Sequence, residues 1–223
     1  MEEHIVKIIS IEQVTHDVKR FRVKKPEGYS FIPGQATDVS INTSELKNER
    51  RPFTFTCLNR EHYLEFTIKI YPSHNGITNE LGKLKPGSEL IIRDVWGAIS
   101  YKGKGVFIAG GAGITPFISI FRDLRIKNEI SGNTLIFANK TKADIILEAE
   151  LREMLGNDAF INILSDEKSN GYFFGMITED FLKGNIGDSN RNFYLCGPPP
   201  MMDTVKQQLA NLGVGENSIT LEL

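Results

Sequence analysis

Residues 105–116, written GVFIAGGAGITP, have the composition of a phosphate-binding turn. A short apolar strand at 106–108 leads into the glycine-rich run 110–113, and a helix is predicted from about Thr115. Glycines let the backbone approach an anion closely, and the free N–H groups at a helix start point toward it. Pro116 suits the first helical turn, where an N–H is not needed. A tight structural turn without a nucleotide would show the same pattern, so this segment alone leaves both interpretations open.

A second segment, RPFTFTC from Arg51, combines three groups that suit a flavin. Arg51 can hold a diphosphate with its forked guanidinium group. The ring of Phe53 can lie against a flat ring system, and the Thr54 hydroxyl can hydrogen-bond a ring nitrogen. An ordinary barrel strand with a solvated arginine would carry the same residues, and the motif by itself does not separate the two.

The first half of the chain, up to about residue 95, is predicted to consist of short strands. They lie at 4–10, 18–24, 36–41, 51–58, 63–70 and 89–95. Turn signals such as Pro33-Gly34 and Pro86-Gly87 separate them. Six such segments with regular turns predict a six-stranded antiparallel β-barrel, with one short helix at 77–83.

The second half shows strands alternating with helices. The strands are predicted at 106–109, 134–138, 160–164, 193–196 and 218–223, and the helices at 115–128, 144–155, 178–182 and 199–212. This alternation is typical of a parallel sheet with helices on both faces. The expected architecture is therefore a barrel domain at 1–99 followed by a five-stranded, doubly wound nucleotide-binding domain at 100–223.

Composition excludes several classes of protein. The net charge of −2 over 223 residues argues against nucleic acid as the main partner. We expect no membrane span, since no apolar run approaches the ~20 residues needed, and the start MEEHIVK does not resemble a signal peptide. Cys57 and Cys196 alone cannot form a disulfide framework or ligate an iron–sulfur cluster. The four histidines lack metal-ligand spacing, so we expect no metal and a reduced, cytoplasmic location. Nothing indicates the oligomeric state.

Seven segments occur in an order that points to one family. They are FIPGQ (31–35), RPFT (51–54), FTIKI (66–70), GITNEL (76–81), GGAGITP (110–116), CGPPPMM (196–202) and Glu222. This succession resembles the ferredoxin–NADP reductase superfamily, especially its compact flavodoxin reductase-like members, and it covers nearly the whole chain. The combination of GGAGITP and CGPPPMM behind an RxFT strand is its most specific part.

The resemblance implies that the barrel binds FAD. Arg51 would hold the flavin diphosphate, Phe53 would stack on the isoalloxazine, and Thr54 would hydrogen-bond near N5, the atom that accepts hydride. The other implied flavin-binding residues are Pro52, Ile68, Lys69, Ile70, Gly76, Ile77 and Thr78. The residues themselves do not distinguish FAD from FMN, so FAD depends on the resemblance.

The resemblance also implies that the second domain binds a nicotinamide dinucleotide. The implied residues are Gly111, Gly113, Ile114, Thr115, Cys196, Gly197, Pro198 and Met201. Thr115 would lie near the nicotinamide amide and Cys196 would flank the ring, although a cysteine at a strand end is also a common buried apolar residue. Glu222 is either a proton carrier or a solvated carboxylate. Many relatives end in an aromatic residue over the flavin, whereas Leu223 could shield the ring but not stack on it.

The segment INILSDE suggests which dinucleotide is used. The resemblance implies that Ser165 and Asp166 stand where NADPH-using relatives have a serine followed by an arginine. Tyr172 follows as an aromatic residue that could stack on the adenine. A carboxylate repels a 2′-phosphate but can accept a hydrogen bond from a free ribose hydroxyl. This favours NADH, although Lys140 and Lys142 could reach a phosphate.

The resulting hypothesis is a flavin-dependent oxidoreductase that passes hydride from NADH or NADPH to FAD and then electrons to a separate acceptor. Flavodoxin or ferredoxin is the first expectation for that acceptor, with an oxygenase component as another. If the acceptor is acidic, Arg20, Arg22, Lys24 and Lys25 could form a basic docking strip. The alternatives are a non-catalytic nucleotide-binding subunit and a flavin reductase that releases reduced flavin.

Overall fold

The N-terminal half forms the predicted barrel. The computed structural model describes residues 2–73, 76–97 and 99–221. The strands of the first sheet are β1 (His4–Thr15), β2 (Val18–Lys24), β3 (Ala36–Ile41), β4 (Arg51–Thr54), β5 (Tyr63–Lys69) and β6 (Glu89–Trp96), and α1 (Ile77–Lys83) follows β5. Their order is β4-β3-β6-β1-β2-β5, and every pair is antiparallel. The Thr56 N–H donates to the Glu65 carbonyl at 2.9 Å, which joins the two edges and closes the sheet.

Aromatic residues fill the barrel interior. Phe21, Phe55 and Phe66 are fully buried there, and the rings of Phe31 and Phe55 stack with centroids 4.2 Å apart. On β5, the side chains of Leu64, Phe66 and Ile68 share this inward face, as the alternation of a strand requires. The intervening residues of β5 point outward, yet they are buried too. The outer face of β5 is therefore covered by another part of the chain.

A buried arginine organises one side of the barrel. The side chain of Arg93, on β6, is 1% exposed. Its Nε donates to Glu3 Oε1 at 2.9 Å, Nη1 to Ser40 Oγ at 3.0 Å, and Nη2 to the Lys47 carbonyl at 3.2 Å. These bonds tie β6 to the start of the chain, to β3 and to the loop after β3. All of them stay within the barrel.

The C-terminal half is the predicted doubly wound sheet. Its strands are β7 (Gly105–Gly110), β8 (Thr134–Asn139), β9 (Phe160–Leu164), β10 (Phe173–Phe174), β11 (Asn192–Cys196) and β12 (Ile219–Leu221), in the order β10-β9-β8-β7-β11-β12. All of its pairs are parallel. One face packs against α2 (Thr115–Ile126) and α3 (Glu148–Leu155), and the other against α4 (Glu179–Asn185) and α5 (Pro199–Asn211). None of the helices in the described ranges has the length and apolarity needed to cross a bilayer.

Several elements differ in detail from the expected ones: β1 continues to Thr15 instead of residue 10, and β4 ends at Thr54 instead of residue 58. The parallel sheet has six strands rather than five, because the two exposed residues of β10 pair with β9. The helix expected from 144 begins at Glu148, since Leu147 adopts a left-handed φ of 53° and interrupts the helical path. The helix expected from Thr178 does begin there, with the Thr178 hydroxyl accepting from the Phe181 N–H at 3.2 Å.

Candidate functional site

The two motifs of the second domain form one surface. Strands β7 and β11 are neighbours, and Cys196 pairs with Ala109. A Cβ atom on Gly113 would lie 2.3 Å from the Cys196 carbonyl oxygen, and one on Gly110 would lie 2.5 Å from Met201 Sδ. Real Cβ atoms do not come so close, so only glycine fits at these positions. The glycine-rich turn and the CGPPPMM segment are therefore packed directly against each other.

The turn that precedes α2 offers uncapped backbone donors, whereas the Thr115 N–H at the start of the helix already donates to the Ala112 carbonyl. Neither α2 nor the short 3₁₀ turn Gly111–Ile114 before it has a side chain that accepts from its first N–H groups. Gly111 has a φ of +52°, which glycine adopts without strain, and a Cβ on it would meet no atom within 4 Å. The turn is thus open to a ligand at the point where helix amides favour an anion.

Asn139 is a polar residue of this site that the sequence reasoning missed. It ends β8, one residue beyond the pair Gly110–Ala138. Its carboxamide is buried, and neither the nitrogen nor the oxygen has a partner among the described residues. A buried polar group without a partner costs about 1–3 kcal/mol, so a polar ligand at this edge would relieve a real penalty. The signal in the sequence was an asparagine at the carboxyl end of a parallel strand, where such sheets bind ligands.

The Ser165–Asp166 corner is acidic. Ser165 Oγ donates to Asp166 Oδ1 at 2.6 Å, and the Asp166 N–H donates to the Lys140 carbonyl at 2.9 Å. The neighbouring Glu167 carboxylate accepts from the Lys142 N–H at 2.8 Å. Two carboxylates at this corner suit hydroxyl groups better than a phosphate. Following the strand order, Cys196, Gly111, Asn139 and Asp166 lie in a row at the carboxyl ends of β11, β7, β8 and β9.

Tyr172 is held by its neighbours. Its hydroxyl donates to Glu148 Oε1 at 2.6 Å, and Lys142 Nζ lies 5.4 Å from its ring centroid. Burial and the Glu148 carboxylate raise the pKa of the Tyr172 hydroxyl. One face of the ring is therefore occupied by a cation, which leaves only the other for the adenine stacking expected from the sequence.

On the barrel, the RPFT strand presents Arg51 and part of Phe53 at its surface and buries Thr54. Arg51 is exposed, and its Nη1 donates to the Arg50 carbonyl at 2.7 Å. Pro52 is exposed as well, Phe53 is half-buried against the barrel core, and Thr54 is buried. An exposed guanidinium beside a partly exposed ring is the combination that a flavin diphosphate and isoalloxazine need.

The other expected flavin residues are more varied in their surroundings. The Ile70 N–H donates to the Asp17 carbonyl at 2.7 Å, so that amide is committed to the barrel. Ile68 and Ile77 are buried, and Gly76 precedes α1 without any neighbour within 4 Å of a Cβ position. Thr78 lies in the first turn of α1. Glu222 and Leu223 lie outside the described residues.

The Lys69 side chain belongs to a cluster of charged groups. Its Nζ lies 2.8 Å from Asp17 Oδ2 and 4.0 Å from Asp144 Oδ1. His16 lies 3.7 Å from each of these carboxylates. Asp17 and Lys69 belong to the barrel, whereas Asp144 belongs to the loop after β8. The cluster is therefore a polar bridge between the two domains.

A second bridge centres on Arg122 of α2. Its Nη1 donates to the Thr56 carbonyl at 2.6 Å and to Glu65 Oε1 at 2.8 Å. Its Nε and Nη2 donate to the two oxygens of Glu150, on α3, at 2.6 and 2.9 Å. The Glu65 side chain is only 1% exposed. Arg122 thus joins the outer face of β5, the segment after β4 and two helices of the second domain.

The charges of this bridge stabilise each other. Burial alone would raise the pKa of the Glu65 carboxyl, but the Arg122 charge and the hydrogen bonds from Arg122 and Arg22 hold that pKa below its ordinary value. The pKa of Arg122 is raised, because Glu150 and Glu65 outweigh the effect of its burial. A cavity of about 290 Å³ beside the bridge has none of the expected cofactor residues in its lining.

The basic strip expected for docking is partly neutralised by the same bridge. Arg22 Nε donates to Glu65 Oε2 at 3.0 Å, and Arg20 Nη2 donates to Glu12 Oε2 at 2.6 Å. Lys25 Nζ donates to Asn59. Two of the four cations are therefore paired with carboxylates rather than presented to a partner.

A third contact places the FIPGQ segment on α2. The Gly34 N–H donates to Ser119 Oγ at 3.1 Å, and a Cβ on Gly34 would lie 2.5 Å from the Ile99 carbonyl oxygen. Ser119 lies one helical turn after Thr115. The barrel is thus fixed to the same helix whose start carries the expected nicotinamide residues.

Comparison with known proteins agrees with this division. Residues 5–101 match the oxidoreductase FAD-binding domain family, and residues 107–207 match the oxidoreductase NAD-binding domain family. The chain is 28% identical over 216 residues to NADH-cytochrome b5 reductase 2 of Mycosarcoma maydis, covering 87% of this chain and 61% of that protein. It is 28% identical over 232 residues to the reductase component of propane 2-monooxygenase of Rhodococcus jostii, covering 96% and 61%. The chain thus spans about three-fifths of the length of these relatives.

Solved structures show the same fold. A ferredoxin NADP⁺ reductase from Neisseria gonorrhoeae, determined with bound FAD and NADP, superposes with a TM-score of 0.86 at 18% identity, over 100% of this chain and 98% of that one. Together, the two family matches show that the chain is an oxidoreductase with an FAD-binding domain followed by an NAD-binding domain, in the same fold as that reductase.

Proposed function

We propose that this protein is a flavin-dependent reductase that takes a hydride from NADH and delivers electrons to a separate acceptor. Its flavin half would be residues 1–99 and its dinucleotide half residues 100–223. The observation that carries the proposal is the direct packing of the glycine-rich turn on Cys196 and Gly197. This turn leads into α2, and α2 is hydrogen-bonded through Arg122 to the segment that follows the RPFT strand. A site for each cofactor would then open on the same junction.

The residues present fit both cofactors. Arg51 offers an exposed guanidinium for a diphosphate, with Phe53 beside it. The uncapped amides before α2, the open space at Gly111 and the orphaned Asn139 carboxamide suit a dinucleotide. When bound, the flavin accepts a hydride from the reduced nicotinamide and can then release electrons singly or in pairs.

The protein's own contribution would be mainly positional. Thr54 would donate a hydrogen bond to the flavin ring from a buried position, and Thr115 and Cys196 would orient the nicotinamide from the other half. Holding two reactants in the correct orientation can supply about 7–11 kcal/mol of a barrier. The close packing of the two domains would also keep water away from the reacting faces. Glu222 remains a candidate proton carrier.

NADH is proposed over NADPH because of the acidic corner. The Asp166 and Glu167 carboxylates would repel a 2′-phosphate, and the Lys142 ammonium group lies over the Tyr172 ring. Replacing Asp166 with arginine should shift the preference toward NADPH. A comparison of KM for the two dinucleotides in Asp166→Arg and the parent protein checks this.

The acceptor is proposed to be a separate redox protein. The names of the relatives mention cytochrome b5 and a monooxygenase, which supports a haem protein or an oxygenase component alongside the flavodoxin or ferredoxin expected from the sequence. A cytoplasmic location is kept as part of the proposal. Anaerobically reduced protein mixed with each acceptor would rank them by rate.

The test of the proposal is optical. The purified protein should be yellow, and its flavin absorbance should bleach when NADH is added without oxygen. Thr54→Val keeps the shape of the side chain and removes the hydroxyl, so this variant should retain flavin but be reduced more slowly. Thr43→Val, in the loop after β3, is the control and should be reduced at the parent rate. A flavin that stays oxidised with both dinucleotides would support the non-catalytic binding subunit instead, and loss of colour on gel filtration would support release of flavin as a product.

A further inference from the structure

The Arg122 bridge joins the two elements that would carry the cofactor-binding residues. Arg122 lies seven residues after Thr115, which is two turns along α2. Its partner atom on the barrel, the Thr56 carbonyl, lies two residues after Thr54. One side chain therefore connects the helix that would orient the nicotinamide to the segment that would hold the flavin ring.

The bridge is also rigid by construction. Glu150 accepts from Arg122 through both of its oxygens, which fixes the plane of the guanidinium. Glu65 is fixed in turn, because its Oε1 accepts from the Thr56 hydroxyl at 3.0 Å and its Oε2 accepts from Arg22 at 3.0 Å. At its barrel end, the bridge thus has little freedom to swing. A buried carboxylate with these partners keeps its geometry better than an exposed ion pair does.

We propose that Arg122 is a positioning residue that sets how the nicotinamide-binding face of the second domain lies over the flavin-binding face of the barrel. This inference depends on the proposed function. The expected consequence is that loss of the bridge slows hydride transfer more than it weakens the binding of either cofactor. A displacement of about 1 Å at a reacting pair can cost about 10²-fold in rate.

Anaerobic stopped-flow reduction tests this proposal by comparing the same substitutions at Arg122 and, as a control, at Arg93. In Arg122→Met, we expect the limiting rate of flavin reduction at saturating NADH to fall by about tenfold to 10²-fold, with FAD retention and the Kd for NADH nearly unchanged. The limiting rate of Arg122→Lys should lie between those of the parent and Arg122→Met, since lysine keeps the positive charge near Glu65 but cannot make the two parallel hydrogen bonds to Glu150. Arg93→Met and Arg93→Lys should leave the limiting rate unchanged, because the Arg93 bonds stay within the barrel.

The cofactor-free protein provides an independent readout. Hydrogen exchange should increase in residues 54–57 and in α2 of Arg122→Met, whereas in Arg93→Met it should increase in β3 and β6. If Arg122→Met does not fold, the double variant Glu65→Gln, Arg122→Met removes both charges and leaves none buried alone. The double variant should be more stable to unfolding than Arg122→Met, and its limiting rate of flavin reduction should still be lower than that of the parent.

The outcomes separate the two proposals. If NADH does not reduce the parent protein, the proposed function fails. If NADH reduces the parent and Arg122→Met at the same limiting rate, the positioning role of Arg122 is wrong while the function stands. A loss of rate in both Arg122→Met and Arg93→Met, in proportion to their loss of stability, would also overturn it.

Discussion

Arg93 and Arg122 are both largely buried cations, but they stabilise different parts of this molecule. The Arg93 side chain is 1% exposed and donates only to groups of the barrel, including a Glu3 carboxylate that is 47% exposed. The Arg122 side chain is 18% exposed and joins the barrel to two helices of the other domain through Glu65, which is 1% exposed. The barrel therefore uses its arginine to close itself, whereas the junction uses its arginine to fix one domain on the other.

The carboxylate partners of the two arginines would respond differently to the loss of the arginine. Glu3 reaches water, so it can be solvated if Arg93 is removed. Glu65 cannot, and it depends on Arg122 and Arg22 to remain charged. A buried charge that loses its partner is far more costly than an exposed one. The junction should therefore be the more sensitive region, both to substitution and to pH.

The largest effect is expected from Glu65. Glu65→Leu leaves Arg122 with Glu150 alone and removes the acceptor of Arg22, so we expect a loss of about 3–5 kcal/mol in the free energy of unfolding. Urea unfolding followed by circular dichroism measures this loss. Glu61→Leu, at a more exposed carboxylate of the preceding loop, is the control and should stay near the parent value. A loss below about 1 kcal/mol for Glu65→Leu would show that the junction charges are no better than surface pairs.

Arg93 comes next. Arg93→Met leaves the Ser40 hydroxyl and the Lys47 carbonyl without this donor, while Glu3 turns to solvent, so we expect a loss of about 2 kcal/mol. The same urea experiment gives the value. Exchange data should place the loosening in the barrel, and an equal loosening of α2 would contradict the separation of the two regions.

Acid should weaken the junction before it weakens the barrel. Because the folded pKa of Glu65 lies below its unfolded value, its contribution is fully present above that unfolded value of about 4.3 and is lost as the pH falls further. Asp144, whose pKa is lowered by the Thr141 hydrogen bonds and Lys69 against the effect of burial, acts in the same direction. Unfolding free energies between pH 6 and about pH 3 should fall less steeply for Glu65→Gln than for the parent. Parallel slopes would mean that Glu65 is not the titrating group.

The smallest effect is expected from an exposed arginine. The Arg152 side chain on α3 is 37% exposed and pairs with Glu148 one helical turn away at 2.7 Å. Arg152→Gln should cost about 0.5 kcal/mol or less, as is usual for such pairs. Thermal unfolding is sensitive enough to detect it. A cost equal to that of Arg93→Met would show that burial is not what separates these arginines.

The same contrast explains what the sequence could and could not predict. Period-two alternation placed Leu64, Phe66 and Ile68 in the barrel core, because a strand's inward face must be apolar. It offered no way to tell that Glu65, on the outward face, would be buried by another domain. The charge bridge at the junction could not be predicted, since Glu65 on β5 and Arg122 on α2 are 57 residues apart and belong to different domains.

The cofactor motifs were easier to predict than the groups between them. Gly113 is required by a close contact with the Cys196 backbone, and Gly110 is favoured by close contacts with the side chains of Met201 and Pro198. Such requirements are visible as fixed sequence patterns. Asn139 belongs to no such pattern, because a carboxamide at a strand end has many uses. The two-residue strand β10 was missed for a similar reason, as two residues are too few to show a period.

Reduction of the bound flavin by NADH deuterated at the transferred position of C4 tests the central claim most directly. In an anaerobic single turnover, we expect the flavin absorbance to bleach fully and the limiting rate to be clearly slower with the deuterated cofactor, because the two domains would hold the nicotinamide against the flavin for direct transfer. A flavin that is not reduced, or one reduced at the same rate with either isotope while NADH is saturating, would contradict this account.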